Sequence, residues 1–330
     1  MRTRLSQFSG NPMQSPLDMA RGKGHRPQLT KGELTGHKPV LLHEVVELLS
    51  VRPTDIVVDA TLGGAGHACA LAKALGKKGV LAGFDADPDA IERARKALAG
   101  VAPKVHLVEA NFRDLAAELE KLGIRRIDKV LFDLGWSSFQ LDAGRGFSLT
   151  SDEPLLMTYS KDGNALTAAR IVNEWEESSI ADVIYGWGEE RYSRRIAKAI
   201  ALRREKQPFE TARDLAETIY AAVPPRYRFG KIHPATRTFQ ALRIAVNDEL
   251  GSLTQALNAG WYKLAAGGRI AVIAFHSIED RLVKQVFKQW EDAGEGKRIT
   301  RKPATPSEEE LRSNPRARSA KLRVIQKIKP

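Results

Sequence analysis

Between residues 56 and 133 the apolar positions follow two alternating rhythms. Ile56-Val-Val-Asp59, Gly79–Asp85, Val105–Val108 and Ile127–Asp133 are short apolar runs of strand length. Between them, 68–75, 88–98 and 115–122 carry apolar residues at helical spacing. Strands separated by helices of this length predict a parallel, doubly wound α/β sheet. Val45, Val46, Leu48 and Leu49 suggest a short amphipathic helix just before it.

The rhythm stops near residue 140. From there to about 246 the chain reads as helices (180–185, 192–203, 212–222) and loops, with Pro224-Pro225 and His233-Pro234 as breakers. It resumes with a helix over 248–264, a turn at Ala265-Ala-Gly-Gly268 and a strand over 269–275. Leu322-Arg-Val-Ile-Gln326 suggests an edge strand. The economical architecture is one Rossmann-like sheet, residues 37–140 and 247–330, split by a helical insertion at 141–246. Residues 1–36 have no apolar period and are expected to form a disordered basic extension.

Composition narrows the class. The 330 residues include one cysteine, Cys69, which excludes an intrachain disulfide and a multi-cysteine metal site. No apolar run is long enough to span a bilayer, and no signal-peptide core follows Met1. A cytoplasmic protein is expected. The net charge of +12 is unevenly spread: residues 1–38 carry +5 and 294–330 carry +7, whereas 39–293 are neutral overall. Within that neutral part, 188–245 carry a local +7, with Arg191, Arg194, Arg195 and Lys198 at helical spacing and Tyr192, Tyr227 and Phe229 among the cations. Such patches suit RNA, with a solvated helix face as the alternative.

Asp59-Ala-Thr-Leu-Gly63-Gly-Ala-Gly66-His67 joins the first strand to a helix, and Asp85 closes the second strand. A glycine turn followed by an acid at that distance suits an adenosine-containing cofactor, the acid accepting from ribose hydroxyls. NAD sites favour G-x-G-x-x-G, but here the spacing is G-G-x-G and an acid stands four residues before it. A carboxylate there suits a ligand bearing an ammonium and a sulfonium and repels a pyrophosphate. This favours S-adenosylmethionine (SAM) over NAD. Asp133-Leu-Gly-Trp136-Ser-Ser138-Phe-Gln140 follows the fourth strand, where an acid, an aromatic ring and hydroxyls can hold a planar base.

At this point the chain resembles a family, the bacterial 16S ribosomal RNA cytosine N4-methyltransferases, also called MraW. The resemblance rests on His37-x-Pro-Val-Leu-Leu, the glycine loop ending Gly66-His67, Asp85-x-Asp-Pro, and Asp133-Leu-Gly-x-Ser-Ser-x-Gln140. It continues through Arg145-Gly-Phe-Ser, Tyr185-Gly-x-Gly-Glu-Glu-Arg191, the run from His233-Pro-Ala-Thr-Arg to Arg243, and Asn247-x-Glu-Leu. Phe275-His-Ser-Ile-Glu-Asp-Arg281 and Asn314-Pro-Arg-x-Arg-Ser-Ala-Lys-Leu-Arg323 complete it. One segment departs: Glu153-Pro-Leu-Leu-Met-Thr158-Tyr159-Ser160 lacks two acids and an arginine that the family usually carries there.

The resemblance implies SAM as cofactor and a cytidine near the decoding centre of 16S rRNA, in the small ribosomal subunit, as target. Carried over by motif, the cofactor contacts are Ala65, Gly66, His67, Asp85, Phe112, Asp133 and Gln140. Asp133 is also the expected catalytic residue, with Trp136, Ser138 and His276 expected at the substrate. The 141–246 insertion is expected to recognise RNA. His276 can equally be structural, beside a helix capped by Glu279 and Asp280. Methylation at cytosine carbon-5 would need a cysteine nucleophile; Cys69 sits on the helix after the glycine loop, far in sequence from Asp133. The seven histidines show no metal-ligand spacing, so no metal is expected.

Overall fold

The structure, a computed structural model, describes residues 38–135, 144–159 and 165–329. The 1–36 extension and Trp136, Ser138 and Gln140 lie outside the described residues.

Seven strands form one sheet in the order β3-β2-β1-β4-β5-β7-β6. They are β1 (Ile56–Asp59), β2 (Val80–Asp85), β3 (Lys104–Glu109), β4 (Ile127–Asp133), β5 (Leu264–Ala274), β6 (Gly296–Arg298) and β7 (Lys321–Lys327). β1 to β5 pair in parallel, and β7 runs antiparallel between β5 and β6. This is the expected Rossmann-like sheet. Chain order reverses between β1 and β4, which opens a crevice at their carboxyl ends.

The period-two alternation of each strand decides which residue faces which layer. On β4, Leu131 enters the apolar layer on one face, while Val130 and Phe132 enter the other. On β5, Ala271 and Ile273 take the first layer, Ile270 and Val272 the second. Helices Leu42–Leu49 and Gly66–Ala74 cover the first face; Leu115–Lys121, Glu249–Lys263 and Ser277–Asp292 cover the second. Burial on both faces explains why these strands read as continuous apolar runs.

A third apolar cluster is built wholly from residues between Phe147 and Leu242, including Ile171, Ile184, Ile196, Ile200, Leu215 and Phe239. At about 1.5–3 kcal/mol for each fully buried side chain, it is a core in its own right. Among the described residues, no helix is long and apolar enough to cross a membrane.

Three expectations change. Leu322–Gln326 is not an edge strand, because β6 pairs outside it and its Arg323 is buried. β5 begins at Leu264 rather than at Arg269, absorbing the Ala265–Gly268 turn through a shift of register against β4. A helix, Thr236–Asn247, follows the His233-Pro234 breaker and forms the wall of the insertion nearest the sheet crevice.

Candidate active site

The crevice holds a cavity of about 390 Å³, within the roughly 300–1,000 Å³ of small-molecule sites. Its floor is the loop after β1. Gly63 has a φ of +49°, a left-handed conformation that glycine adopts at no steric cost. A Cβ on Gly66 would stand 3.0 Å from the Pro39 ring, so glycine lets the chain before the first helix close over the loop. Gly83 serves the same loop from β2, where a Cβ would come 2.5 Å from the Leu62 side chain. Ala65 caps the following helix at φ +61° and is fully buried beneath the floor.

Three acids stand at the ends of three adjacent strands. Asp85, at the end of β2, accepts from the backbone amides of Gly63 and Asp87, both at 2.9 Å. Burial raises its pKa, and those two amides pull it back. Asp59, at the end of β1, is fully buried; Oδ1 accepts from the Thr61 amide at 3.1 Å, and Oδ2 has no hydrogen-bond partner among the described residues. Burial holds its carboxyl well above the usual range, with Asp133 and Asp85 adding repulsion. Asp133, at the end of β4, is fixed through its backbone: its amide donates to Thr61 Oγ1 at 2.7 Å. Its side-chain Oδ2 lies 3.5 Å from Nε2 of the buried His67, and its buried Oδ1 has no hydrogen-bond partner among the described residues. Burial, then the nearby Glu279, pushes its pKa up to about 7.

An array of one buried and two half-buried acids is stabilised by a cationic ligand. The donors and cations of SAM match it: an ammonium, a sulfonium and two ribose hydroxyls. Phe112 adds an apolar wall. It sits in a 3-10 turn capped by Asn111, packs edge-on against Phe132 and lines the cavity. Asp85→Ala should weaken SAM binding about 5- to 150-fold, the cost of leaving buried donors unpaired (roughly 1–3 kcal/mol). Calorimetry giving an unchanged affinity would remove Asp85 from the ribose site.

The sequence-derived residues Gly66, His67, Asp85, Phe112, Asp133 and His276 all line this one cavity. Ala65 lies below it. His276 is a structural residue and also stands in the cavity wall. It caps helix Ser277–Asp292 through Nδ1, which accepts from the Glu279 amide at 3.4 Å. Its Nε2 lies 2.9 Å from Glu279 Oε1, and the residue forms part of the cavity wall. Cys69 is not in that wall; its thiol points at the Ala97 carbonyl.

The opposite wall escaped sequence reasoning. Tyr159, Arg243, Glu249 and Glu279 converge there with His276. Arg243 lies 2.7 Å from each oxygen of Glu249, through Nε and Nη2. Tyr159 donates its hydroxyl to Glu249 Oε1 at 2.9 Å, and its amide to Asn247 Oδ1 at 2.8 Å. Burial works against the Arg243 charge, but Glu249, Tyr159 and Glu279 more than restore it. Glu249, His276 and Glu279 bring ligand-type atoms within 4.8 Å of one another, a grouping that histidine spacing did not suggest; Arg243 already supplies a cation there. The available signal was an arginine and a glutamate six residues apart, on either side of Asn247.

Comparison with known proteins gives this geometry a family. The ribosomal RNA small subunit methyltransferase H of Heliobacterium mobile is 49% identical over 309 residues, 88% of this chain and 99% of that protein. The protein of the same name from Deinococcus radiodurans is 49% identical over 304 residues, covering 90% and 93%. That from Clostridioides difficile is 44% identical over 308 residues, covering 88% and 99%. The family model described as the MraW methylase family matches residues 34–328. With its acids at the strand ends and a match spanning residues 34–328, the whole sheet and the helical insertion, the chain belongs to the MraW methylase family.

Proposed function

We propose that this enzyme transfers a methyl group from SAM to the exocyclic N4 of a cytidine in 16S rRNA, near the decoding centre, with the small ribosomal subunit as partner. The observation that carries the reading is Asp133: a half-buried carboxylate whose buried Oδ1 has no hydrogen-bond partner among the described residues, at the carboxyl end of β4, in a cavity that Asp85 also lines. The relatives named above are small-subunit rRNA methyltransferases, which supports the RNA class.

Bound SAM supplies an electrophilic methyl on a sulfonium. The protein's part is to bring a weak nucleophile to it. The cytosine amine is conjugated with its ring, so its lone pair must be turned out of that conjugation. Asp133 Oδ1 accepts one amine N–H and thereby orients the nitrogen and favours its developing positive charge. The 3.5 Å contact with His67 and the backbone tie to Thr61 hold the carboxylate in place. Carbon-5 chemistry finds no thiol in the cavity wall.

The test is labelled-methyl transfer to 16S rRNA and to small subunits, with nucleoside mass analysis. N4-methylcytidine at a single position is expected; 5-methylcytidine, or methyl on no RNA, would overturn the reading.

The insertion supplies the RNA grip in this reading. Arg191, Arg194, Arg195 and Lys198 are all exposed, and Phe229 is 83% exposed beside them in sequence. Arg191 also lies over the rings of Tyr192 and Tyr227, at 4.8 and 4.9 Å. RNA affinity should therefore fall steeply with salt. Each neutralised phosphate contributes about −0.7 to −0.9 to the slope of log affinity against log salt. Arg194→Ala with Arg195→Ala should flatten the slope by up to about two units and leave SAM affinity unchanged. A slope that survives intact would move the RNA surface away from helix Ser193–Arg204.

A further inference from the structure

The mechanism above uses one cavity. A second, of about 350 Å³, is lined wholly by residues of the insertion and shares none of them with the first. Its floor is one face of helix Ala212–Ala222, where Arg213, Ala216, Glu217 and Tyr220 recur at the spacing that keeps side chains on one side. Leu149 and Thr150 form one flank. Arg213 ties that flank down: its amide donates to the Ser151 carbonyl at 3.2 Å, and its Nη2 to the Thr150 carbonyl at 2.7 Å. His233 also lines the groove.

The two rings of this groove are fixed and yet open to solvent. His233 Nδ1 accepts from the Ala235 amide at 3.2 Å, and the imidazole lies 21° from the plane of Tyr220, with centroids 5.9 Å apart. Partial burial holds the His233 pKa below its ordinary value, so at neutral pH the remaining ring proton is on Nε2. Arg228 lies over the Tyr220 ring at 5.1 Å and is itself held by the carbonyls of Ala221 and Val223, at 2.8 and 3.2 Å. Tyr220 and His233 are exposed, as are Phe229 and Ile232 in the four residues before His233. Apolar and aromatic surface left in water among cations marks a contact site.

Resting on the RNA reading, we propose that this groove takes a second nucleobase of the RNA substrate, unpaired and distinct from the target cytidine, stacked against the Tyr220–His233 pair. The net +7 of residues 188–245 selects a polyanion. Glu217 in the wall argues for a base rather than a phosphate: a carboxylate repels a phosphate but accepts an N–H of a base edge. His233 Nε2–H supplies a donor beside it, and the rings with Leu149 and Ala216 supply surface for the base plane. Helix Thr236–Asn247 starts three residues after His233 and carries Arg243 into the wall of the reaction cavity. From Thr236 to Arg243 is about 10 Å along the axis at 1.5 Å per residue, a span of a few nucleotides at about 3.4 Å each when stacked. A base anchored there helps to hold the target out of its own stack.

The experiment uses the full-length enzyme and small subunits. Tyr220→Leu removes the ring, and Tyr220→Phe keeps it. At saturating SAM, Tyr220→Leu should raise KM for small subunits about 5- to 150-fold, the worth of one base–aromatic stack. Its kcat should stay within about twofold of the parent and its SAM affinity should be unchanged, as for loss of binding alone. Tyr220→Phe should match the parent. The salt slope of RNA affinity should be the same in all three, because no phosphate contact is lost. Cross-linking of parent enzyme to small subunits, by ultraviolet light for RNA and formaldehyde for protein, should join a nucleotide other than the target to the peptide carrying Tyr220 or His233. An unchanged KM in a folded Tyr220→Leu enzyme overturns the proposal, and so does a ribosomal protein, or no nucleotide, cross-linked at both peptides. Should Tyr220→Leu fail to fold, the cross-link still decides. Methyl transferred to no RNA would refute the parent reading; methylated RNA with an unmoved KM would refute the groove alone.

Discussion

Asp133→Asn is expected to lower the rate of methyl transfer about 10²–10³-fold at saturating SAM, with a much smaller change in SAM affinity. The amide keeps the shape and one acceptor, and loses the charge that faces the developing cation. Removing a single preorganised electrostatic partner typically costs this much. The pH profile should change as well. Burial, then Glu279, holds the Asp133 carboxyl up at about 7 in the free cavity, and the proposed mechanism needs the ionised form. Activity should therefore rise with pH through neutrality and fall about tenfold per unit below the midpoint. A bound sulfonium favours the carboxylate, so the midpoint of the SAM complex should lie below that of the free enzyme. The asparagine enzyme should show no such titration. Parent-like turnover in the variant would exclude Asp133 as the partner of the amine; collapse of SAM binding alone would leave it a cofactor contact only.

The largest stability effect is expected at Arg323, in the middle of β7. Its guanidinium lies 2.6 Å (Nε) and 3.2 Å (Nη2) from the two oxygens of Asp280, at the start of helix Ser277–Asp292. Both side chains are buried, and Lys321 adds a partly exposed contact at 3.2 Å. Arg323→Met leaves Asp280 buried with Lys321 alone. Breaking a buried pair from one side costs about 3–5 kcal/mol, and the remaining lysine places the expected loss near the lower figure. Denaturant unfolding at pH 7 would measure it. The pH dependence has a definite sign. Burial alone would raise the Asp280 pKa, but Arg323 and Lys321 outweigh it and hold the folded carboxyl below its ordinary value. The pair's contribution is thus present above the unfolded pKa of about 3.9 and lost as pH falls through the folded one. In the methionine variant that acid-side loss should shrink. An unchanged midpoint at pH 7 would show that the pair is energetically neutral.

What the sequence disclosed about the site is what lies on one stretch of chain. Asp59, Asp85 and Asp133 each end an apolar run, and a parallel sheet brings all such ends to one edge; strand periodicity alone therefore places them together. The second wall has no such local rule. Tyr159 is 90 residues from Glu249, and Arg243 lies 33 before His276, so only tertiary folding joins them. A charged residue on a helix reads as solvent-facing, and Arg243 is buried because Glu249 accompanies it. Pro234 misled for a different reason. It precedes helix Thr236–Asn247, where a proline is compatible with starting a helix, and it breaks one only in the interior. Lys321-Leu-Arg-Val resembles an edge because its alternation is half polar; Asp280, 43 residues away, turns Arg323 inward. Tyr159 fell in the one segment that departs from the family pattern, and it is that tyrosine's hydroxyl that fixes Glu249.

The cavity wall includes both Pro39 and Arg316, and their neighbourhoods are tied to each other. Asn314 donates to the Lys38 carbonyl at 3.1 Å, and the Leu41 amide donates to Glu310 at 2.8 Å. Synthesis adds residues in order, so β1 to β4 and their helices are made long before the segment that closes over Pro39. A nascent chain that has reached β5 has the three acids but an open pocket. A ligand stabilises only the state that presents its complete site. SAM should thus stabilise the growing chain less than the finished one, and a ribosome stalled on the message before residue 316 should carry a nascent enzyme that retains it more weakly. The finished chain acquires affinity in its last stage, when the helical insertion has already had time to pack.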